Sequence, residues 1–256
     1  MAFESIRLIT FDCYGTLIDW ETGLLRWLRG RFNGGSRQTP DSTLLELYGE
    51  IEAEFEGGPY LPYRQVLTRT VQAMGQQLGV EVTPQEGRQF SDSLGDWEPF
   101  PDTIESLRAL AGKFRLGIIS NVDDDLFALT RARLQVPFEV IVTAQQVRSY
   151  KPSLKNFQEA MRRSGLNNKE MLHAGQSIYH DIVPASFLGI PNIWVNRPSI
   201  RPGIGAVKAA SAQPCMQVES LAALERVLQD GTLSIKPRSE AGTGWEPAGP
   251  DASLLK

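Results

Sequence analysis

The first apolar run of the chain ends on a carboxylate and then turns at a glycine. Residues 6–11 are rich in apolar and β-branched side chains, Asp12 follows directly, and Gly15 comes three residues later. This pattern predicts a short buried strand that presents one acid at its C-terminal end. Open α/β sheets place their chemistry in the crevice beyond the carboxyl ends of the strands. Asp12 is therefore the first candidate for a catalytic residue.

From residue 97 onward, helix and strand patterns alternate. The predicted strands are 115–120, 138–143, 171–175 and 192–195, and the helices between and after them are 124–134, 153–164, 181–188 and 221–228. A further helix begins after Asp102, which we expect to form a capping pair with Glu105. Alternation with short links predicts right-handed crossovers and a parallel sheet covered on both faces.

Residues 18–96 show only helical patterns. They include helices over 20–31 and 63–78, one that begins near Asp41, and one that follows Thr83 and Pro84. We interpret this region as a helical cap domain inserted into an α/β core. The predicted core comprises residues 1–17 and 97–230, and the cap comprises residues 18–96. Residues 231–256 are rich in Gly, Pro, Ser and charge, which predicts a loosely ordered C-terminal tail.

The composition is that of a globular protein with a small-molecule partner. Hydrophobic residues make up 41% of the 256 residues and charged residues 22%, and the net charge is -4. This charge gives no reason to expect binding to nucleic acid or to an anionic membrane. No apolar run approaches a bilayer span, and the N-terminus lacks signal-peptide features, so we expect a cytoplasmic protein. Monomer and homodimer both remain open.

The two cysteines, Cys13 and Cys215, do not predict a disulfide or a structural metal site, because they lie far apart without ligand spacing. Cys13 adjoins Asp12, but successive strand side chains point to opposite faces. We therefore favour a small core residue over a reactive thiol.

A carboxylate nucleophile needs a neighbour that keeps it ionised. Lys151, in the segment Ser149-Tyr150-Lys151-Pro152, follows the third predicted strand of the sheet, and its ammonium could lower the pKa of Asp12. By spacing alone, a solvated surface lysine is the simpler interpretation. The second strand of the sheet ends at Ser120 and Asn121, which could donate hydrogen bonds to a substrate or cap the next helix.

Three consecutive acids, Asp123, Asp124 and Asp125, invite a metal-binding interpretation. Acids in the first turn of a helix also complement its dipole, and we favour this structural role.

Four segments of the chain together resemble the haloacid dehalogenase superfamily. They are Phe11 to Gly23, Phe100-Pro101-Asp102-Thr103, Ser149-Tyr150-Lys151-Pro152 and Ser177-Ile178-Tyr179-His180-Asp181. Within the superfamily they are most similar to the type II (S)-2-haloacid dehalogenase group, and within that group to the azetidine-2-carboxylate hydrolase branch. The resemblance implies a Rossmann-like three-layer α/β core, with a parallel sheet and an inserted all-helical cap.

The resemblance also implies roles for individual residues. Asp12 would attack the substrate and become transiently esterified, Thr16 would brace it, and Asp181 would orient water while pairing with Lys151. The implied catalytic set is Asp12, Thr16, Ser120, Asn121, Lys151 and Asp181, and the implied substrate-binding set is Cys13, Tyr14, Ser177 and His180. For His180, a second general base and a capping or packing role remain equally open.

The chain departs from its relatives at four positions. Superfamily phosphatases carry acids where this chain has Tyr14 and Gln176, which argues against magnesium-assisted phosphoryl transfer. Dehalogenases usually carry a tyrosine and an asparagine where this chain has Phe157 and Ile178, so two hydrogen-bonding groups are missing from the expected pocket.

The sequence thus favours a hydrolase that acts without a metal or other cofactor on a short 2-substituted carboxylic acid. One alternative is a magnesium-dependent phosphatase of the same fold, and another is a non-catalytic small-acid binder. Dehalogenases receive the leaving halide on a cap arginine. Arg64 and Arg69 are candidates, but we favour a solvated helix face for both. Trp20, Trp27 and Trp97 could line the pocket or simply belong to the core.

Overall fold

The computed structural model describes residues 4–34, 38–197 and 212–230. The described residues form a six-stranded parallel sheet with strand order β3-β2-β1-β4-β5-β6. The strands are β1 (Leu8–Phe11), β2 (Arg115–Ser120), β3 (Val140–Thr143), β4 (Met171–Gly175), β5 (Asn192–Val195) and β6 (Met216–Val218). The predicted tail, residues 231–256, lies outside the described residues.

Helices precede and separate the strands as the sequence predicted. They are α1 (Trp20–Phe32), α2 (Asp41–Glu56), α3 (Tyr63–Leu78), α4 (Pro84–Asp92), α5 (Thr103–Ala111), α6 (Asp124–Leu134), α7 (Ala144–Val147), α8 (Leu154–Ser164), α9 (Val183–Phe187) and α10 (Leu221–Asp230). The sequence analysis missed β6 and α7, which at three and four residues are too short to show a periodic pattern. The predicted helix over 181–188 is instead a π-helical turn, Ile178–Ile182, followed by α9.

The alternation of side chains along β1 distributes the core over both faces of the sheet. Ile9 and Phe11 pack in the larger hydrophobic cluster, whereas Leu8 packs in a second cluster with Phe157 and Ala160 of α8. All three strand residues are fully buried. A parallel sheet covered on both faces by helices is the predicted fold class, and it is confirmed.

The parallel register brings the strand ends to one edge of the sheet. Phe11 at the end of β1 pairs with Ile118 of β2 and with Ala174 of β4. Ser120 and Gly175, the last residues of β2 and β4, therefore lie on either side of Asp12. This edge is where the candidate catalytic residues of the sequence analysis converge.

The helices α1 to α4 pack on one another next to this edge. Aromatic contacts join them, with the ring of Trp27 4.9 Å from that of Phe90 and the ring of Trp20 6.2 Å from that of Tyr48. The larger hydrophobic cluster runs from these helices into the sheet without interruption. The exact boundaries of the core and the cap remain a prediction. None of the helices in the described ranges combines the length and hydropathy that a bilayer span requires.

Asp123 links the helical segment to the sheet. Its carboxylate accepts hydrogen bonds from the backbone N–H groups of Tyr63 and Arg64, both at 2.9 Å, and so caps α3. Its side chain makes no capping bond to α6, the helix that it precedes in sequence. Arg64 in turn pairs with Asp92 and with Asp125 of α6. These bonds fix the entry to α3 against the loop that follows β2.

The predicted capping pair of Asp102 and Glu105 is wrong. The Asp102 side chain makes no capping bond to α5 and instead accepts from the backbone N–H groups of Leu221, at 2.7 Å, and Ala222, at 3.1 Å. It also receives Arg197 Nη1 at 3.0 Å. A helix distant in sequence has taken the carboxylate that local spacing assigned to its own helix.

The Asp123 contact predicts a stability effect that is separate from the catalytic groups. Asp123→Ala removes the acceptor for two buried N–H groups at the start of α3, so we expect it to lower the free energy of unfolding by about 1–2 kcal/mol. Urea unfolding followed by circular dichroism measures this change. The matched variant Asp96→Ala removes an exposed acid and should leave the midpoint unchanged. Equal midpoints for all three proteins would contradict the assignment.

Candidate active site

Asp12 lies directly beyond β1 and is held by two hydrogen-bond donors. Its Oδ1 accepts from Lys151 Nζ at 2.8 Å, and its Oδ2 accepts from Thr16 Oγ1 at 2.8 Å. Asp12 is 8% exposed. The carboxylate is thus fixed in orientation at the sheet edge while part of it remains accessible.

Lys151 is a buried residue that joins two carboxylates. Its Nζ lies 2.8 Å from Asp12 Oδ1 and 2.7 Å from Asp181 Oδ1, and its side chain is only 2% exposed. Asn121 fixes its backbone, since Asn121 Oδ1 accepts from Lys151 N at 2.7 Å and Asn121 Nδ2 donates to Lys151 O at 3.2 Å. The solvated-surface interpretation of Lys151 is therefore wrong, and so is a helix-capping role for Asn121.

Asp181 is fully buried and receives three donors. These are Lys151 Nζ, the backbone N–H of Ser177 at 3.1 Å, and His173 Nε2 at 3.3 Å. A Cβ atom on Gly175 would lie 2.4 Å from the Asp181 carboxyl carbon. The glycine at the end of β4 is therefore required for the close approach of this carboxylate to the sheet.

The charges of this triad shift the pKa values in opposite directions. Burial raises the pKa of Asp12, and Asp181 adds to this, while Lys151 opposes it. Burial also acts to raise the pKa of Asp181, but Lys151 and His173 outweigh it and lower that pKa. The pKa of Lys151 is raised because the two carboxylates outweigh its burial. The expectation that Lys151 lowers the pKa of Asp12 overall is wrong, since one ammonium serves two buried acids.

Thr16 connects the nucleophile loop to the segment after β4. Its hydroxyl donates to Asp12 and accepts from the backbone N–H of Gln176 at 2.9 Å. The turn between Asp12 and Thr16 places Gly15 at a φ of 95°, and a Cβ there would lie 3.0 Å from Trp20 Nε1. A side chain at this position would be strained and crowded, so glycine is needed for the turn.

Ser120 supplies a hydroxyl that no described residue uses. It is 1% exposed, and its Oγ has no hydrogen-bond partner within the described ranges. Buried hydroxyl groups are normally paired, so an orphan at a strand end beside Asn121 marks a place for a ligand atom.

Cys13 and Tyr14 follow Asp12 but extend in other directions. Cys13 is fully buried in the larger hydrophobic cluster, and burial raises the pKa of its thiol. The Tyr14 hydroxyl lies 2.9 Å from Thr130 Oγ1 of α6, and its ring meets that of Trp97 edge-on. The core interpretation of Cys13 agrees with this burial, and Tyr14 contributes its ring rather than its hydroxyl to the neighbourhood of Asp12.

Ser177 and His180 are bonded to each other. Ser177 Oγ accepts from the backbone N–H of His180 at 3.0 Å and lies 3.3 Å from His180 Nδ1. The opposite ring atom, His180 Nε2, lies 3.8 Å from Glu56 Oε2 of α2. The histidine thus has a packing role at the turn and also faces the cap.

Two site residues escaped the sequence analysis. His173 of β4 bridges Thr10 Oγ1, at 3.0 Å, and Asp181, while Phe157 meets its ring edge-on. Glu56, at the end of α2, accepts from Asn121 Nδ2 at 3.2 Å. A histidine inside a strand and a glutamate in a helix carry no sequence signal for a site. Only the position of Asp12 on the neighbouring strand could have pointed to His173.

Other candidates of the sequence analysis lie away from the triad. Arg64 is engaged with Asp92 and Asp125, and Arg69 is exposed. The three consecutive acids Asp123 to Asp125 do not form a cluster, because each binds different partners. Within the described residues, no three His, Cys, Asp or Glu side chains are grouped as metal ligands.

Magnesium does not fit the donors around Asp12. A hard divalent ion needs several free oxygen ligands. The oxygens of Asp12 and Asp181 are already shared with Lys151 and their other donors, and the Tyr14 hydroxyl faces Thr130. An ammonium therefore occupies the place between the carboxylates where a cation would be needed.

Comparisons with known proteins agree on a family. A family model described as haloacid dehalogenase-like hydrolase matches residues 61–195, which is more than half of the chain. The (S)-2-haloacid dehalogenase of Pseudomonas putida is 24% identical over 233 residues, covering 88% of this chain and 97% of that protein. The glyceraldehyde 3-phosphate phosphatase of Methanothermobacter thermautotrophicus is 30% identical over 154 residues, covering 59% and 67%.

A solved structure shares the whole architecture. The L-2-haloacid dehalogenase from Xanthobacter autotrophicus, with chloropropionic acid covalently bound, superposes with a TM-score of 0.75 at 18% sequence identity. The match covers 88% of this chain and 98% of that one. At this identity the similarity shows the fold.

The shared ammonium predicts opposite stability effects for the two acids. The folded-state pKa of Asp12 is raised, so its ionised form opposes folding above that pKa, and Asp12→Asn should leave the melting temperature at pH 7.5 unchanged or higher. The folded-state pKa of Asp181 is lowered, so its ionised form stabilises the fold at neutral pH, an effect that is lost as pH falls.

Asp181→Asn should accordingly reduce stability by about 2–4 kcal/mol at pH 7.5. The loss should shrink toward pH 4, where the unfolded acid also becomes protonated. Differential scanning calorimetry of both variants across this pH range measures the contrast. A lower melting temperature for Asp12→Asn than for Asp181→Asn would refute the assignment.

Proposed function

The chain belongs to the haloacid dehalogenase-like hydrolases, and we propose that it hydrolyses a small 2-substituted carboxylic acid through an ester formed on Asp12. The main support is the placement of the Asp12 carboxylate, which is aimed by Lys151 and Thr16 at 2.8 Å each and remains 8% exposed. A carboxylate is a weak nucleophile unless it is oriented and shielded from bulk water. This site meets both requirements.

In the first step, an Asp12 oxygen attacks the carbon that carries the substituent. The new C–O bond forms as the bond to the leaving group breaks, and the leaving group departs with the electron pair. The orphan hydroxyl of Ser120 is suited to donate a hydrogen bond to the substrate carboxylate. Lys151 holds Asp12 in its ionised form for the attack and later offsets negative charge on the ester oxygen.

In the second step, water attacks the side-chain carbonyl carbon of the Asp12 ester. The bond from that carbon to the product oxygen breaks, the 2-hydroxy acid leaves, and the water oxygen stays in Asp12. Asp181 is fully buried with both oxygens bonded and a lowered pKa, so its role is to hold Lys151 and to orient the reacting groups. His180, whose side chain is 24% exposed, is the better placed acceptor of the water proton.

The substituent itself is a carbon-bound halide or a strained C–N bond, as in azetidine-2-carboxylate. The Xanthobacter dehalogenase holds chloropropionic acid covalently, which supports attack at the carbon next to a carboxylate. Phe157 is fully buried against His173, so it offers no hydroxyl to a leaving halide. The two kinds of leaving group differ in charge, and the cap residues that face the site can discriminate between them.

A magnesium-dependent phosphatase is the second candidate, favoured by the relationship to the glyceraldehyde 3-phosphate phosphatase. The donors around Asp12 weigh against it, since Lys151 already pairs with both acids. A third candidate, a small-acid binder without turnover, would keep the same contacts but form no ester.

Isotope labelling tests the proposed ester. In a single turnover in H₂¹⁸O with enzyme in excess, we expect one ¹⁸O atom in the side chain of Asp12, detected by mass spectrometry of the peptide that contains it. Asp12→Asn should abolish turnover and incorporation, whereas Asp19→Asn, which alters the exposed N-cap of α1, should retain both. Turnover with label only in the product would disprove the covalent route.

A substrate panel with EDTA or added magnesium separates the three candidates. We expect turnover of a 2-haloacid or of azetidine-2-carboxylate to persist in EDTA, because Lys151 supplies the positive charge beside Asp12. The assay measures halide release or 2-hydroxy acid formation by chromatography. Magnesium-dependent release of phosphate from a phosphomonoester would favour the phosphatase, and stoichiometric binding without product would favour the binder.

A further inference from the structure

Two glutamates of α2 form an acidic wall on the cap side of the site. Glu52 and Glu56 are four residues apart and so share one face of the helix. Glu56 accepts from Asn121 Nδ2 at 3.2 Å and lies 3.8 Å from His180 Nε2. Glu52 Oε1 accepts from the hydroxyl groups of Tyr48 and Tyr63, both at 2.7 Å. Here, "acidic wall" means Glu52 and Glu56.

The acidic wall lacks a cation of its own. In the part of the chain that the structure describes, no lysine or arginine lies within 4.0 Å of either carboxylate, and the Glu56 side chain is 10% exposed. Burial, followed by the charge of Glu52, raises the pKa of Glu56 well above its ordinary value. A buried acid without a cationic partner destabilises the fold unless a ligand completes it.

The acidic wall is connected directly to the reacting groups. Asn121 bonds Glu56 with the same amide nitrogen that reaches Lys151 O, and Lys151 contacts Asp12. On the sheet side, the unpartnered Ser120 hydroxyl is the residue before Asn121, and it is a donor suited to a carboxylate. The site therefore offers a donor at one position and buried carboxylates at another.

We propose that the acidic wall, through Glu56, binds a positively charged nitrogen of the substrate, so that the substrate is a zwitterionic 2-substituted acid whose leaving group is that nitrogen. The inference rests on the proposed function, because it assigns the leaving-group position of the same site. A departing halide would meet the charge of Glu56 with repulsion, whereas an ammonium gains a charge-assisted hydrogen bond. The cap thus selects a C–N bond over a C–halide bond.

The chemistry balances without a further reactant. As Asp12 attacks the substituted carbon, the C–N bond breaks and its electron pair remains on nitrogen. The nitrogen carries its protons before the step, so it leaves as a neutral amine and can still donate to Glu56. In a small ring such as azetidine-2-carboxylate, the amine stays attached to the product.

Binding to the Asp12→Asn variant tests this inference without turnover. Azetidine-2-carboxylate and cyclobutanecarboxylate have the same ring size and the same carboxylate, and they differ in the charged ring nitrogen. By isothermal titration calorimetry, we expect the nitrogen compound to bind at least about tenfold more tightly, because a hydrogen bond to a charged group is gained. Adding Glu56→Gln should remove this preference, while adding Glu54→Gln, on an exposed residue of the same helix, should keep it.

Equal affinities for the two ring compounds, or a preference that survives Glu56→Gln, would overturn the inference. The comparison within Asp12→Asn alone still decides the matter if the double variant does not fold. A preference for the nitrogen compound together with absent ¹⁸O incorporation in the wild type would reject the proposed reaction but not the cation site. Incorporation with 2-chloropropionate and no preference for nitrogen would do the reverse.

Discussion

One buried ammonium shared by two buried carboxylates determines the chemistry of this protein. Lys151 Nζ lies 2.8 Å from Asp12 and 2.7 Å from Asp181, and all three residues are nearly inaccessible to solvent. A buried charge pair balances its own desolvation, but a second acid leaves one negative charge uncompensated. The surplus falls on Asp12, whose pKa is raised, while Asp181 keeps the tighter set of donors. The unequal sharing separates a reactive acid from a structural one.

The surrounding structure maintains this inequality. Asp181 receives His173, Lys151 and the Ser177 amide, and Gly175 allows the close approach. Asp12 receives only Lys151 and the Thr16 hydroxyl. The helix-turn geometry after β4 and the turn at Gly15 thus set the electrostatics of the two acids through the number of donors each can reach.

The cap and the core meet through polar contacts at the same edge of the sheet. Asp123 caps α3, Asn121 reaches Glu56, and the Tyr150 hydroxyl donates to Leu61 O at 2.7 Å. Each of these core residues lies in a loop that follows β2 or β3. The loops that build the catalytic triad therefore also position the cap, and a change of cap sequence can alter specificity while the reacting groups remain in place.

The sequence by itself determined the architecture and the identity of the central acid. Strand periods over 115–120 and 171–175 and helical periods such as 63–78 are local properties, so the parallel sheet and most helix bounds follow from them. Asp12 and Lys151 could be found because each sits at the end of a recognisable strand or in a recognisable motif. Local spacing failed where side chains bonded distant partners, as when Asp102 capped α10 and Asp123 capped α3.

Only the tertiary structure decided the charges at the site and what the cap presents to it. The pKa of Asp12 depends on its burial and on Asp181 as well as on Lys151, and burial cannot be read from a motif. Glu56 and His173 belong to a helix and a strand whose patterns give no hint of function, and packing alone brings them to Asn121 and Asp181. Hydrophobic periodicity fixes which face of an element is buried, whereas the partner of a polar side chain depends on which elements meet in space.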